Sequence, residues 1–338
     1  MLLYLLDSNF QKVDVIEQYV SLIWTVRYQS TGDFELYIPA DKIGSIQKGM
    51  YLQKVSDETS GGYLMCIENV VLSEDAEDGD YITVSGRSAE KILADRVVWY
   101  KTRTVGSAEM GLYSLYHRNF RASDVAARNL SSFGVGTYKD LDAVMKGEYN
   151  GESFLDVTEA VCVENGIGFR LLFKAGSFTF DIYEGTDRSY DQNINDFVVF
   201  SPMFGNLAKS DYTQDTTEMK NVCLAYAESP TNGYGRKYAS VGTASGFNRR
   251  EMFVDCGTDD EDAMMTGEAQ TALSEYKEVH SFEGEVIPKP GWEDEYFLGD
   301  IVQIVNDYGN AGKVRIAEII ESDSAEGYTI IPTFEVIE

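Results

Sequence analysis

The sequence predicts a β-rich α+β protein, with two similar β-modules at the ends of the chain flanking a central α/β segment. The main observation is that one stretch is written twice. Residues 32–39 read GDFELYIP and residues 281–288 read SFEGEVIP. Downstream, Gly49–Glu68 lies on Gly299–Glu318 without a gap. Six of those twenty positions are identical: Gly49/Gly299, Gln53/Gln303, Val55/Val305, Asp57/Asp307, Gly62/Gly312 and Glu68/Glu318. Ordinary residue frequencies would give roughly one. Both copies then pass an acidic turn, SEDAEDGD at 73–80 and ESDSAEG at 321–327, into a strand. Such distant copies mark a duplicated module, not a short-period solenoid. The second observation is compositional: 22 Tyr and 17 Phe, with frequent Val and Ile, favour strands.

Taken in order, residues 1–97 read as short strands joined by polar turns, the pattern of a barrel or sandwich. The apolar start MLLYLL meets Asp7 too soon, and without a basic flank, for a signal peptide; it is expected to be the first strand. Val13–Ile16, Leu22–Tyr28, Phe34–Ile38, Tyr51–Val55, Tyr63–Val71 and Tyr81–Ser85 follow, several alternating with period two. Ala89–Leu93 reads as a closing helical turn. Residues 98–199 form the α/β segment. Ser123 is expected to cap a helix over Asp124–Ser132 that Gly134 ends. Ser153 with Asp156 opens another, stopped by Gly166. GFRLLF (168–173) and SFTFDIY (177–183) make a hairpin turning at Lys174-Ala175-Gly176. Over 200–338 the strands resume at Asn221–Ala227, Lys237–Val241 and Glu251–Asp255. A helix interrupts them, with Thr258 and Glu261 spaced as a capping box and DDED on its N-terminal dipole. The second copy of the repeat ends the chain.

Function is bounded mainly by exclusion. Net charge is −28, which repels phosphate backbones and anionic membrane surfaces. No segment approaches the ~20 apolar residues of a membrane-crossing helix. Cys66, Cys162, Cys223 and Cys256 form neither a disulfide framework nor a CxxC zinc pair, which suits a reducing cytoplasm. His117 and His280 stand in no nucleophile or metal-ligand pattern. Gly-x-Ser-x-Gly is absent, and TNGYGRK (231–237) lacks a phosphate-loop spacing and reads as a mobile loop. The acidic runs 73–80, 259–262 and 321–327 lack the ligand alternation of a calcium loop; solvated hairpin tips and a helix N-terminus account for them. VVWYK (97–101) and GWEDEYF (291–297) could stack on sugars, although packing explains them more simply. No catalytic, cofactor-binding or metal-binding residue is therefore assigned, and no enzymatic activity is expected.

A resemblance sharpens this. Trp24 with TGDFELYIP, then KGMYLQ, YLMCIENV and SGRSAEKILADRV, is similar to the N-terminal part of siphophage and prophage tail-hub proteins. The centre (GESFLDVTEAVCVENGIGFRLLF, YEGTDRS, FSPMFGNLAKSDYTQDTTEMKNVCLAYAE) and the close (YFLGDIVQIV, RIAEIIES, GYTIIPTF) match too, leaving the loop around 229–250 least matched. The resemblance implies a virion tail-tip or baseplate hub assembled in the host bacterial cytoplasm. It implies two tube-type β-barrel domains, 1–97 and 200–338, the second with one inserted helix, around a central α/β domain, 98–199. Partners would be further copies of the chain in a homotrimer, the distal tail ring, the tape-measure protein and a tail fibre or lysin module. Six similar modules in a trimer would match a six-fold tail tube, and an acidic lumen would let DNA pass without sticking. The alternative is a glycan-binding or glycan-degrading tail-associated protein, which would need a carboxylate pair in a cleft lined by Trp and Tyr.

Overall fold

A computed structural model describes residues 1–74, 79–229, 235–258, 260–286, 291–305 and 311–337. The first module holds β1 (Leu3–Leu6), β2 (Lys12–Ile16), β3 (Ser21–Arg27), β4 (Asp33–Pro39), β5 (Tyr51–Lys54), β6 (Leu64–Ser73) and β7 (Tyr81–Ser88), closed by α1 (Lys91–Ala94). The central part holds β8 (Thr102–Ser107), α2 (Ala108–Tyr116), β9 (Phe133–Val135), β10 (Val144–Tyr149), α3 (Phe154–Asn165), β11 (Gly168–Lys174) and β12 (Ser177–Tyr183). After β13 (Val199–Phe200) and β14 (Leu207–Asp215) come β15 (Val222–Ser229), β16 (Gly235–Val241), β17 (Glu251–Asp255) and α4 (Asp262–Ser274). The chain ends with β18 (Val279–Val286), β19 (Ile301–Val305), β20 (Ala311–Ser324) and β21 (Gly327–Val336).

Hydrogen-bond register relates the two copies of the repeat. Gly49 and Gly299 both take positive φ, 84° and 90°, and their N–H groups bond to the carbonyls of Ile67 and Ile316 at 2.9 Å. One strand on, Tyr51 pairs with Cys66 and Ile301 with Arg315. Next, Cys66 pairs with Arg87 and Arg315 with Glu335. The neighbouring residues of these last strands, Gly86 and Phe334, face Phe34 and Phe282. Register alone thus leads from the glycines to the phenylalanines of the two Phe-Glu motifs. A β-bulge interrupts both copies at the same step, between Ile67 and Asn69 and between Ile316 and Glu318. The order β3-β4-β7-β6-β5 of the first copy recurs as β14-β18-β21-β20-β19. The second copy reaches its next strand one residue sooner, so Glu318 stands where Asn69 does, not where Glu68 does.

Among the described residues neither module closes into a barrel of its own. The C-terminal half of β20 lies antiparallel beside β3, Glu318 opposite Arg27 through Ser324 opposite Ser21. This seam fuses both copies into one 13-stranded sheet whose path runs open from β14 to β2, with no closed barrel among the described residues. One core serves both modules, joining Trp24, Phe34 and Val84 of the first to Val302, Ile316 and Phe334 of the second. Alternation explains the strands: β4 buries Phe34, Leu36 and Ile38 and turns Glu35 outward.

A second core fills the central part, where Tyr116 stacks on Phe180 at 4.7 Å and on Phe120 at 4.8 Å. Helix α3 forms as its caps dictate: Ser153 Oγ accepts from the Asp156 N–H, and Gly166 ends it at φ 65°. The hairpin β11–β12 turns through Ala175 and Gly176, both at positive φ.

The helix expected over Asp124–Ser132 is absent. Only a 3-10 turn, Ala126–Arg128, forms there, because the Asn129 side-chain amide accepts from the Ser123 N–H and donates to the Ser123 carbonyl, closing a loop. The helix that does form is α2, capped by Ser107 and continuing into a π turn over His117–Arg121. Likewise Thr258 is not the cap of α4, whose N-cap residue is Glu261. Strands β15, β16 and β17 lie outside the large sheet, in a three-stranded sheet of their own. Helix α4 covers one face of it and also packs against α3, where Thr271 donates to Glu164 at 2.7 Å.

Candidate functional site

Two features stand out: the seam between the modules, and a cleft where three parts of the chain meet. The seam is stitched by charge as well as by backbone bonds. Along β20, Glu318 pairs with Arg27, Glu321 with Lys54, and Asp323 with the N-terminal amine. Lys54 and Glu321 are nearly dry, with side chains 9% and 4% exposed. Tyr328 donates a second hydrogen bond to Glu321 at 2.6 Å, and the Lys54 ammonium sits 5.5 Å from the Trp24 ring. Part of the acidic run 321–327, expected as a solvated hairpin tip, is therefore the inner face of an interface. Its cationic partners, Lys54 and the N-terminal amine, lie 267 and 322 residues away in sequence, where no local pattern points to them.

Tyr28 locks the junction with the central part. Its buried ring lies in the space where a Cβ on Gly168 or on Gly299 would fall, 2.1 and 2.2 Å from ring atoms. It meets Tyr183 edge-on at 5.3 Å. Both glycines are thus demanded by one aromatic ring, and Gly299 by its positive φ as well.

Beside this junction opens a cleft of about 480 Å³, lined among others by Asp57, Tyr63, Arg170, Tyr183, Trp292 and Asp300. Its charges are largely committed. Asp300 is 2% exposed and accepts from the N–H groups of Thr186 and Phe297 and from Arg188. Arg170 bonds Asp181 at 2.9 Å and lies 4.3 Å from the Tyr183 ring centre. Burial pushes the Asp57 carboxyl up, opposed by the nearby Lys54 charge. Trp292, from the GWEDEYF stretch, brings an indole N–H with no hydrogen-bond partner among the described residues.

The remaining sequence candidates lie apart. His117 is exposed at the head of the π turn. The side chain of His280, residues 75–78 of the first acidic run, Asp259, and residues 231–234 of TNGYGRK lie outside the described residues. Glu261 and Asp262 pair with Arg103 and Lys237, tying the start of α4 to β8 and β16. Trp99 packs under the Arg128 guanidinium at 4.6 Å. No group of three His, Cys, Asp or Glu among the described residues could hold a metal ion. All four cysteines are buried and free.

No curated protein matches the chain. The fold is shared with solved phage-related structures at low identity. The tail protein from Neisseria meningitidis MC58 superposes with a TM-score of 0.61 at 12% identity, over 98% of this chain and 95% of that one. The 43 kDa tail protein of prophage MuSo2 from Shewanella oneidensis gives 0.60 at 13%, over 99% and 98%. Prophage tail protein gp18 from Listeria monocytogenes EGD-e gives 0.57 at 12%, over 99% and 94%. The family profile described as Siphovirus ReqiPepy6 Gp37-like protein matches residues 2–334. With nearly the whole chain covered, the protein belongs to the Siphovirus ReqiPepy6 Gp37-like family.

Proposed function

We propose that the chain is a structural hub subunit of a phage or prophage tail tip. It assembles with further copies of itself, as a homotrimer, into a ring that continues the tail tube and anchors a fibre or lysin module. The observation that carries this reading is the duplicated module, whose two copies share one sheet through an ion-paired seam. A chain with two equivalent modules supplies six in a trimer, the number that matches a six-fold tube. Family membership and the tail-protein fold support the same reading. In this role the distal tail ring and the tape-measure protein are the neighbours, and the net charge of −28 disfavours adhesion of DNA in transit. Activity comes through assembly and not through catalysis. The test is electron microscopy of tails carrying a tagged copy: label confined to the tip, in three copies, is expected, and label along the tube or absent from particles refutes it.

A glycan-binding or glycan-degrading role is the second reading, favoured by the cleft that sets Asp57 among Tyr63, Tyr183 and Trp292. Incubating the purified chain with peptidoglycan fragments separates the two. Turnover abolished by Asp57→Asn would displace the structural reading.

A further inference from the structure

The internal seam points to a second seam between chains. In the first module only the N-terminal half of β6 is covered, Leu64–Cys66 pairing with β5; among the described residues the other edge of Asn69–Ser73 is open. In the second module the corresponding half of β20 is covered by β3. Conversely β3 has neighbours on both sides, whereas among the described residues its counterpart β14 pairs only with β18. The two strands used inside the chain thus leave their counterparts, β6 and β14, each with one open edge.

Exposure records the difference. Leu72 is 44% exposed, while Glu321, its counterpart by register, is 3% exposed. Val71 is also 44% exposed. Thr213 is exposed, while its counterpart Thr25 is 3% exposed. The open half of β6 therefore carries adjacent apolar side chains at an unpaired edge, which a monomer would ordinarily blunt with charge or cover.

We propose that β6 of one copy pairs antiparallel with β14 of a second copy, in the register of the internal seam. This rests on the ring-forming reading of the chain and specifies which strands meet. Carrying the β20–β3 register across places Asn69 opposite Asp215, Val71 opposite Thr213 and Ser73 opposite Asp211. No two like charges face each other in these pairs, which favours association in so acidic a protein. The contact is heterologous, so repeating it either closes a ring or propagates. Since it repeats the geometry that already relates the two modules, each new chain adds two more steps of one rotation.

The test uses the full chain with Val71→Cys and Thr213→Cys together; the four native cysteines are buried. Directly opposed strand residues hold their Cβ atoms about 4.5–5.5 Å apart, within reach of a short bifunctional thiol reagent. Under assembling salt, or in tail particles carrying the variant, the double variant is expected to give covalent dimers and trimers. Either single variant should give none, and Val71→Cys with Asp211→Cys, out of register, several-fold less. Leu72→Glu, at an exposed position, should leave the monomer's circular dichroism unchanged and abolish assembly. Assembly seen by light scattering without cross-linking of the double variant overturns this seam and leaves the ring reading standing. A chain that stays monomeric and uncross-linked even in tail particles overturns both.

Discussion

The buried pair Lys54–Glu321 gives the sharpest test of the seam between modules. Lys54→Met keeps the aliphatic stem beside Trp24 and removes the ammonium. Among the described residues Glu321 then keeps only the Tyr328 hydroxyl as donor, with its side chain 4% exposed. Breaking a buried pair by removing one partner costs about 3–5 kcal/mol, because the remaining charge stays out of water. Replacing both, Lys54→Met with Glu321→Leu, removes that charge and should recover most of the loss. The residue is roughly 1 kcal/mol for the hydrogen bond Tyr328 no longer makes. The cycle should therefore show coupling of several kcal/mol, far above the about 0–1 kcal/mol of exposed pairs. Urea unfolding read by tryptophan fluorescence suits the measurement, since Trp24 is 0% exposed and sits next to Lys54. A loss below about 1 kcal/mol for Lys54→Met, or a double variant as unstable as the sum of the singles, would refute the view that this pair holds the modules together.

Burial, helped by the Asp156 charge, pushes the Glu159 carboxyl up to about 7. A raised carboxyl favours the folded state below its unfolded value and loses that contribution as pH rises through 7. Glu159→Gln should accordingly be neutral near about pH 4 and stabilising by about 1 kcal/mol at pH 8.5, after discounting for partial exposure; equal effects at both pH values would contradict this. Gly49→Ala meets no atom within 4 Å, whereas Gly299→Ala drives its Cβ into Tyr28. Both should lose about 1–2 kcal/mol from positive φ, and Gly299→Ala a further 1–3 kcal/mol, in denaturation curves; equal losses would show that Tyr28 yields freely. Assembly should strengthen with salt, because the Debye length falls from about 10 Å at 0.1 M to 3 Å at 1 M and screens the like charge of the copies. Light scattering that shows assembly weakening as salt rises would place attractive charge pairs at the contact instead.

Much of the fold was legible because the signals are local. Alternation in Asp33–Pro39 is a property of seven consecutive residues, and the caps of α3 sit within its own span. The hairpin at Ala175–Gly176 announced itself by turn chemistry. What failed was also local but ambiguous. Ser123 can cap a helix or, as it does, close a loop with Asn129, and sequence spacing does not decide between them. The gapless repeat slipped by one residue because identities at Gly62/Gly312 and Glu68/Glu318 reward a register that the strand pairing rejects. The seam was not legible at all. It joins Arg27 to Glu318 and Lys54 to Glu321, and nothing in either short stretch names the other. Tyr28 is similar: Gly168 and Gly299 look like ordinary turn glycines until one ring is found between them.

The chemistry of the two edges fits a division between folding and assembly. Inside the chain, β20 meets β3 at the high effective concentration of a tether, and three acids are neutralised as it does so. The first two of those positions on β6 are Asn69 and Leu72, which lack charge. An edge of carboxylates there would have to find cations on β14, whose exposed residues include Asp211 and Asp215. An uncharged apolar strand instead gains by being covered and asks for no ion partner. The same module thus carries an ion-paired edge where the partner is always present and an apolar edge where it must be met. Acidic residues on β14 oppose pairing of β14 with itself, since like charges directly across a ladder are destabilising. That asymmetry favours the heterologous contact over an isologous dimer, and only the heterologous contact can extend around a ring.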